Sequence, residues 1–287
     1  MSHGNAAYNP SIQVKLNLSP LGKKSSYISE YNKSLLFPIA RKLKRDEINV
    51  PTNTLPFKGY DIWNAFELSW LNPKGKPVAA LAQFIFSCES ENIVESKSLK
   101  LYLNSFNNTS FASIDVVKDI IVKDLSEAVK STVAVQIFAP HDFSLLQFAN
   151  LDGECIDNLD IKCDTYVPNK NFLSIINEQY VEEQLYSNLL KSNCLVTGQP
   201  DWGSAAIFYC GQKIDRAGLL KYIVSFRNHN EFHEQCVERI FMDILTQCKP
   251  EKLTVYARYT RRGGLDINPI RSTENILIPK NIRTLRQ

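Results

Sequence analysis

The run Ser192-Asn193-Cys194-Leu195-Val196-Thr197-Gly198-Gln199-Pro200-Asp201-Trp202-Gly203-Ser204 sets a thiol at the end of an apolar stretch and a carboxylate in the Gly/Pro-rich turn that follows. A free thiol of pKa ~8.5 is only a few per cent thiolate at neutral pH, so a nucleophilic cysteine needs a proton acceptor or a positive potential beside it. Asp201 can return across the turn to the strand end that carries Cys194. The same residues also describe a buried thiol beside an ordinary turn, and spacing does not separate the two.

A second group lies in Phe226-Arg227-Asn228-His229-Asn230-Glu231-Phe232-His233-Glu234. On a helix over 230–247, taken at about 100° per residue, Val237, Ile240, Phe241, Ile244 and Leu245 span an apolar arc of about 140°. His233 and Glu234 fall inside that arc, at the first turn. A carboxylate facing inward is costly unless something donates hydrogen bonds to it. A lone inward histidine reads as a satisfied core residue; His and Glu together point to a ligand site. Metal is a competing reading, because His229, His233 and Cys236 have helical spacing. HExxH fails, since position 237 is Val, and no cysteine pair completes a tetrahedral set, so no metal is expected.

Two further stretches carry charge. Glu95-Ser96-Lys97-Ser98-Leu99-Lys100 enters a helix, and its plain reading is an acidic first turn with solvated lysines. Arg258-Tyr259-Thr260-Arg261-Arg262-Gly263-Gly264 follows a strand. Arginines beside glycines suit phosphate contacts, and they suit a surface loop equally well. No GxGxxG follows a strand, so a Rossmann dinucleotide site is not supported.

The elements that must position these groups come in two copies. A shift of 120 residues, without a gap, lays Tyr102, Ser105, Phe106 and Asn108 on Tyr222, Ser225, Phe226 and Asn228. It also lays Val117, Ile120, Ile121 and Leu125 on Val237, Ile240, Phe241 and Leu245, and Val133-Ala134-Val135 on Leu253-Thr254-Val255. Under this alignment Ser113 and Ile114 match His233 and Glu234. Upstream of each helix pair stands a hairpin pattern: Phe66–Leu71, a turn at Asn72–Gly75 and Val78–Phe86, then Cys194–Thr197, a turn at Gly198–Gly203 and Ala205–Cys210. Strand, strand, helix, helix, strand in each half predicts α+β modules with antiparallel sheets and two helices on one face. The expected division is an N-terminal extension over 1–45, a first module over 46–150 and a second over 151–287.

The 287 residues are 44% hydrophobic and 22% charged, a profile that builds a sizeable core without staples. A net charge of +3 is too small to argue for nucleic-acid binding. The first ~25 residues hold no apolar run of signal or membrane-span type. Seven cysteines without a CxxC pair speak against a zinc ribbon and a disulfide framework, so free thiols and a cytoplasmic home are expected.

Together these motifs resemble the NADPH-dependent 7-cyano-7-deazaguanine reductases, the nitrile reductases of queuosine biosynthesis, in their long two-module form. The resemblance runs over nearly the whole chain. It implies two tandem tunnelling-fold modules, and a homodimer or larger, since such modules close their sheets by association. It assigns Cys194 as nucleophile and Asp201 as proton donor. Val94, Glu95, Ser96, His233 and Glu234 become substrate-binding residues, with Phe232 available for stacking. Ser96, Lys97, Arg262 and Gly263 become part of an NADPH cradle.

Thiolate addition to the electrophilic nitrile carbon gives a thioimide, and reduction to the primary amine takes two hydrides. The deazapurine ring presents an N–H beside an exocyclic amine, a donor pair that Glu234 or Glu95 can accept. Short members of the family carry all the motifs in one module; here they are divided, and one complete site per chain follows, assembled where the modules meet. The partner implied is a small deazapurine, with no direct nucleic acid and no membrane. Competing readings are an amidine-forming relative of the same fold, a nitrilase-type hydrolase, and a non-catalytic purine- or RNA-binding scaffold.

Overall fold

Runs rich in β-branched and aromatic residues form long strands here, and amphipathic 3.6-residue patterns form the helices that cover them. The computed structural model describes residues 27–51, 53–139, 141–142 and 147–287. In chain order the elements are β1 (Pro38–Ala40), α1 (Lys42–Arg45), β2 (Lys58–Leu71), β3 (Pro77–Ser87), β4 (Asn92–Val94), α2 (Ser96–Asn104), α3 (Ile114–Val129) and β5 (Val133–Phe138). The second half continues with β6 (Glu154–Cys155), β7 (Ile175–Ser187), β8 (Lys191–Asn193), β9 (Pro200–Ile214), α4 (Arg216–Ser225), α5 (His233–Cys248), β10 (Lys252–Tyr259) and β11 (Leu265–Ser272).

The long strands make one sheet in the order β5-β3-β2-β11-β10-β9-β7-β6, with β8 paired to β9 off that path. Its pairings are antiparallel except for the two-residue contact of β6 with β7. Each helix pair covers its own core. Leu99, Tyr102, Val117, Ile121 and Leu125 pack on Trp63, Phe84, Phe86 and Val133 in the first half. Leu220, Tyr222, Ile240, Phe241 and Ile244 pack on Ile207, Tyr209, Leu253 and Val255 in the second. The α+β class, with antiparallel strands and two helices to each module, is the one expected.

Three details differ from the sequence reading. The second hairpin is formed by β7 and β9, and not by Cys194–Thr197 with Ala205–Cys210. Cys194 lies in the turn between β8 and β9, and Asp201 lies on β9 rather than in a turn. β7 escaped notice because most of its residues are exposed, so no apolar alternation marks it.

Second, the repeat slips by one residue along its second helix. The hydroxyls of Tyr102 and Tyr222 each donate at 2.7 Å to an aspartate, Asp124 and Asp243. The aspartates are one residue closer in sequence than the tyrosines. The left-handed residues that end α3 and α5, Lys130 and Lys249, keep the same shorter offset. Ile114 and Asp115 therefore match His233 and Glu234, and Ser113 matches Phe232.

Third, β11 follows β10 and inserts against β2, with Leu265 opposite Ala65 and Ser272 opposite Lys58. This pairing merges the two half-sheets. Residues 1–26 of the expected extension lie outside the described residues. Residues 38–45 form β1, which pairs with β4, and α1.

Candidate active site

The turn that carries Cys194 is closed by its own backbone. Cys194 N–H donates to the Gln199 carbonyl at 2.8 Å, and Gly198 N–H donates to the Cys194 carbonyl at 3.0 Å. Gly198 takes φ 66, a left-handed conformation that glycine adopts without strain. Asn193 ties this turn to the approach of α5, donating to the His229 carbonyl at 2.8 Å and accepting from Glu231 N–H at 3.1 Å. The thiol is 6% exposed. Burial alone would raise its pKa. Hydrogen bonds from the Thr197 hydroxyl and N–H, the Val196 N–H and Arg262 outweigh it and hold the thiol below its ordinary value.

Around Cys194, one cleft of about 380 Å³, its open mouth included, is lined by Val94, Glu95 and Ser96 of the first module. Asp201, Glu231, Phe232, His233, Glu234 and Arg262 of the second complete the wall, with Trp63, Ile93 and Ile267 as an apolar floor. Arg262 Nη2 lies 3.0 Å from Asp201 Oδ1, and its Nη1 donates to Gln199 Oε1 at 2.6 Å. His233 stacks on Tyr259 with ring centroids 4.0 Å apart and an interplanar angle of 14°. Its Nε2 lies 3.4 Å from Asp201 Oδ2.

The cleft's three glutamates are in different states. Glu95 caps α2, accepting from Lys97 N–H at 2.6 Å and Ser98 N–H at 2.8 Å, so both its oxygens are engaged. Burial still raises its pKa in spite of those bonds. Glu231 accepts two bonds at Oε1 and one at Oε2 from Arg239 and faces His229 Nε2 at 3.0 Å. Burial opposes its ionisation, and those two partners overcome it and hold it low. Glu234 is 4% exposed, and its Oε1 has no partner among the described residues. Burial, and after it the charge of Asp61, push its pKa up to about 7, against the pull of His233 and Arg41.

A second cavity of about 680 Å³, mouth included, lies alongside and is lined by Glu67, Lys100, Asn104, Asn107, Gly263 and Gly264, among others. A bulge in β2 at Phe66-Glu67 opens room for the Arg261–Gly264 loop, whose Gly264 carbonyl accepts from Phe66 N–H at 2.9 Å. Gly263 and Gly264 take φ 59 and 75, and a Cβ on Gly264 would meet the Glu67 carboxyl at 2.5 Å. Lys100 is half-buried against Gly263 rather than solvated. Burial, then the neighbouring Arg262, hold its ammonium below the ordinary lysine value, and it makes no ion pair with the described residues. The ammonium of Lys100 and the close backbone approach at Gly263 give this cavity one wall suited to an anionic group, while the Glu67 carboxyl lines it as well.

Thus Val94, Glu95, Ser96, Cys194, Asp201, His233, Glu234 and Arg262 meet around one cleft, Gly263 lines its neighbour, and Lys97 lines neither. The sequence reading passed over Thr197, Glu231 and Lys100, although all three stand inside quoted runs. Lys100 was detectable as the residue one turn after Ser96 on α2, facing the same way. Among the described residues no group of His, Cys, Asp and Glu is arranged to hold a metal ion.

Two family models match the chain. One, "Nitrile reductase, 7-cyano-7-deazaguanine-reductase N-term", covers residues 27–137, and the other, "QueF-like protein", covers residues 200–276. The NADPH-dependent 7-cyano-7-deazaguanine reductase of Burkholderia multivorans is 58% identical over 270 residues, 94% of this chain and 98% of the relative. The protein of the same name from Paraburkholderia phymatum is 57% identical over 270 residues, again 94% and 98% of the two chains. A solved structure, the archaeosine synthase QueF-Like in the apo form, aligns over 35% of this chain and 99% of its own at 14% identity, with a TM-score of 0.30, too slight to bear on the argument.

Proposed function

The chain belongs to the family of NADPH-dependent 7-cyano-7-deazaguanine reductases, and from that premise we propose that it reduces the nitrile of 7-cyano-7-deazaguanine to the primary amine, with Cys194 as nucleophile and Asp201 as proton carrier. The observation that carries this reading is the cleft itself: a thiol with lowered pKa, a carboxylate and an unsatisfied buried glutamate face one another where the modules meet.

The nitrile carbon accepts the Cys194 sulfur while the nitrogen takes a proton, so a thioimide forms by addition and nothing leaves. Asp201, which lines the same cleft, takes the thiol proton and returns it to nitrogen on this reading. Glu234 accepts the ring N–H and exocyclic amine, which resolves the cost of burying its free oxygen. Glu95 keeps its oxygens on the helix cap and walls the cleft from the first module. Two NADPH molecules, bound in turn, would each supply one hydride, and Ser96, Lys100, Arg262 and Gly263 are the residues that would hold the phosphates, with Lys97 next to Ser96 on α2. The work is divided by module: residues 46–150 bring the Val94–Lys97 stretch and residues 151–287 the reacting groups.

We also read the protein as a cytoplasmic homodimer without nucleic-acid or membrane contacts of its own. No described helix is long and apolar enough to cross a membrane. All seven cysteines are free, as a reducing compartment keeps them. Ile175, Ile176 and Tyr180 stand exposed on the first half of β7, ahead of the two residues that pair with β6, and this is the surface a second copy would cover.

Intact-protein mass spectrometry after mixing with the nitrile, NADPH omitted, tests the mechanism. The wild type should gain the full mass of the nitrile, and Cys194→Ala should show neither adduct nor turnover. Turnover by Cys194→Ala overturns the covalent route.

A further inference from the structure

The segment from Phe37 to Arg45 touches β4, the start of α2, the Cys194 turn and α5, yet no chemistry is assigned to it. β1 lies antiparallel to β4, with Pro38 opposite Val94 and Ile39 opposite Ile93. The Phe37 carbonyl accepts from Glu95 N–H at 2.9 Å, and Phe37 N–H donates to Ser98 Oγ at 3.0 Å. Ile39, 4% exposed, is packed on one side by Phe37, Leu43 and Ile93, and on the other by Leu195, Val196 and Phe232 of the second module. Leu195 and Val196 directly follow Cys194; Phe232 directly precedes His233.

Charged groups fasten the far end of the same segment to α5. Arg45 donates to both oxygens of Glu238, at 2.7 and 3.0 Å, and the Lys44 carbonyl accepts from Gln235 Nε2 at 2.9 Å. Arg41 pairs with Asp61, and Arg271 bridges Asp61 and Glu238 at 2.8 Å each. All five of these charged side chains are buried. Such a buried lattice specifies one arrangement of its elements more than it adds stability.

We propose that residues 37–45 are a positioning strap, in which Ile39 seats the Cys194 turn so that the Val196 and Thr197 N–H groups stay aimed at the sulfur. The turn has only two backbone bonds of its own, Gly198 to Cys194 and Cys194 to Gln199. What fixes its tip is the cover over Leu195 and Val196, which the strap supplies by apolar burial. An N–H stabilises a thiolate only along a narrow range of directions, so a loose tip loses the bond before it loses the fold. Ile39 does not line the cleft; it acts through the turn, as a positioning residue. The inference rests on Cys194 being the reacting thiol.

Alkylation of Cys194 by iodoacetamide, resolved at the peptide level and followed against pH in the intact unliganded protein, reads this directly. The charged and titratable groups around the sulfur are Asp201, Glu231, His233, Glu234 and Arg262 of the second module and Glu95 and Lys100 of the first, and none belongs to the Ile39 cluster. Greater access to the thiol would scale the whole rate curve, whereas loss of aimed donors moves its midpoint. In Ile39→Ala the midpoint should move up by about one pH unit, the effect of losing a hydrogen bond to the charged form. Thioimide formation at neutral pH should slow about tenfold with it, while KM for NADPH stays put.

Ile39→Val, which removes one methylene and keeps the fold, should move the midpoint the same way by a smaller step. A wild-type midpoint in Ile39→Ala overturns the proposal, and if that variant does not fold, a wild-type midpoint in Ile39→Val does so. Absence of the nitrile adduct in the wild type would instead refute the nucleophile assignment and leave the alkylation comparison readable.

Discussion

Asp115 and Glu234 occupy the same place in the two modules, the second residue of the second helix, and their fates are opposite. Asp115 is exposed at a helix start that Ser113 caps, with the Ser113 side chain accepting from Val116 N–H. Glu234 is buried at a helix start with no side-chain cap, since Phe232 replaces the serine. In the first module an acid near the positive end of a helix is a routine surface stabiliser. In the second, β4 and the Ile39 segment close over the same end of the helix, and the acid is left with an oxygen that no described residue satisfies. On the proposed reading, one module uses the position for stability and the other for recognition. The difference lies less in the residue than in what covers it.

That contrast is open to attack at graded strengths. Asp201 lines the cleft from β9, and β3, the matching strand of the first module, carries no acidic residue. Asp201→Asn should keep nitrile affinity while single-turnover reduction slows by ~10²–10⁴, the usual size of a general-acid contribution. Near-normal reduction would move the proton to another donor, with His233 the next candidate.

Glu234→Gln should weaken nitrile binding by about 1.5–3 kcal/mol, the range for bonds to a charged group, whereas Asp115→Asn should leave it unchanged. Isothermal titration across pH sharpens this pair. The ordinary glutamate value lies below that of the folded, unliganded protein, so Glu234 ionises only as pH rises through about 7. Nitrile affinity in the wild type should therefore fall as pH drops below about 7, and that fall should vanish in Glu234→Gln. The sign for stability is opposite. The fold favours the protonated acid, so unliganded protein should lose stability as pH rises through that window, and Glu234→Gln should abolish the loss. The weakest effect belongs to the capped helix: Ser113→Ala should cost about 1 kcal/mol in denaturant unfolding and leave nitrile turnover alone. A loss of turnover there would mean that the modules are not as separable as their two cores suggest.

The chemistry was more legible than the architecture. The His233-Glu234 pair announces itself because polar groups sit where apolar ones are wanted, whereas Cys194 and Asp201 read equally as a buried thiol beside a turn until the surrounding motifs are added. β7 gave no such sign, since a strand exposed on most of its residues has no reason to alternate. The one-residue slip between α3 and α5 was hidden because both registers place apolar residues on apolar ones; the Tyr-Asp bonds and the left-handed helix ends distinguish them. The strap was illegible for another reason. Ile39 and Arg45 look like any buried isoleucine and any arginine until their partners, Val196 and Glu238, are brought to them from the far half of the chain.

The pairing of β11 with β2 also sets a timetable for synthesis. Residues 58–71 emerge early from the ribosome, and the strand that completes their edge emerges about two hundred residues later. Until then β2 carries an open edge, a site for wrong pairing that a chaperone or the ribosome surface must shield. Arg262 leads into β11, and Arg271 lies on it and bridges Asp61 to Glu238. A nascent chain thus carries Cys194 for some seventy residues of translation before Arg262, one of the donors to its sulfur, has been made.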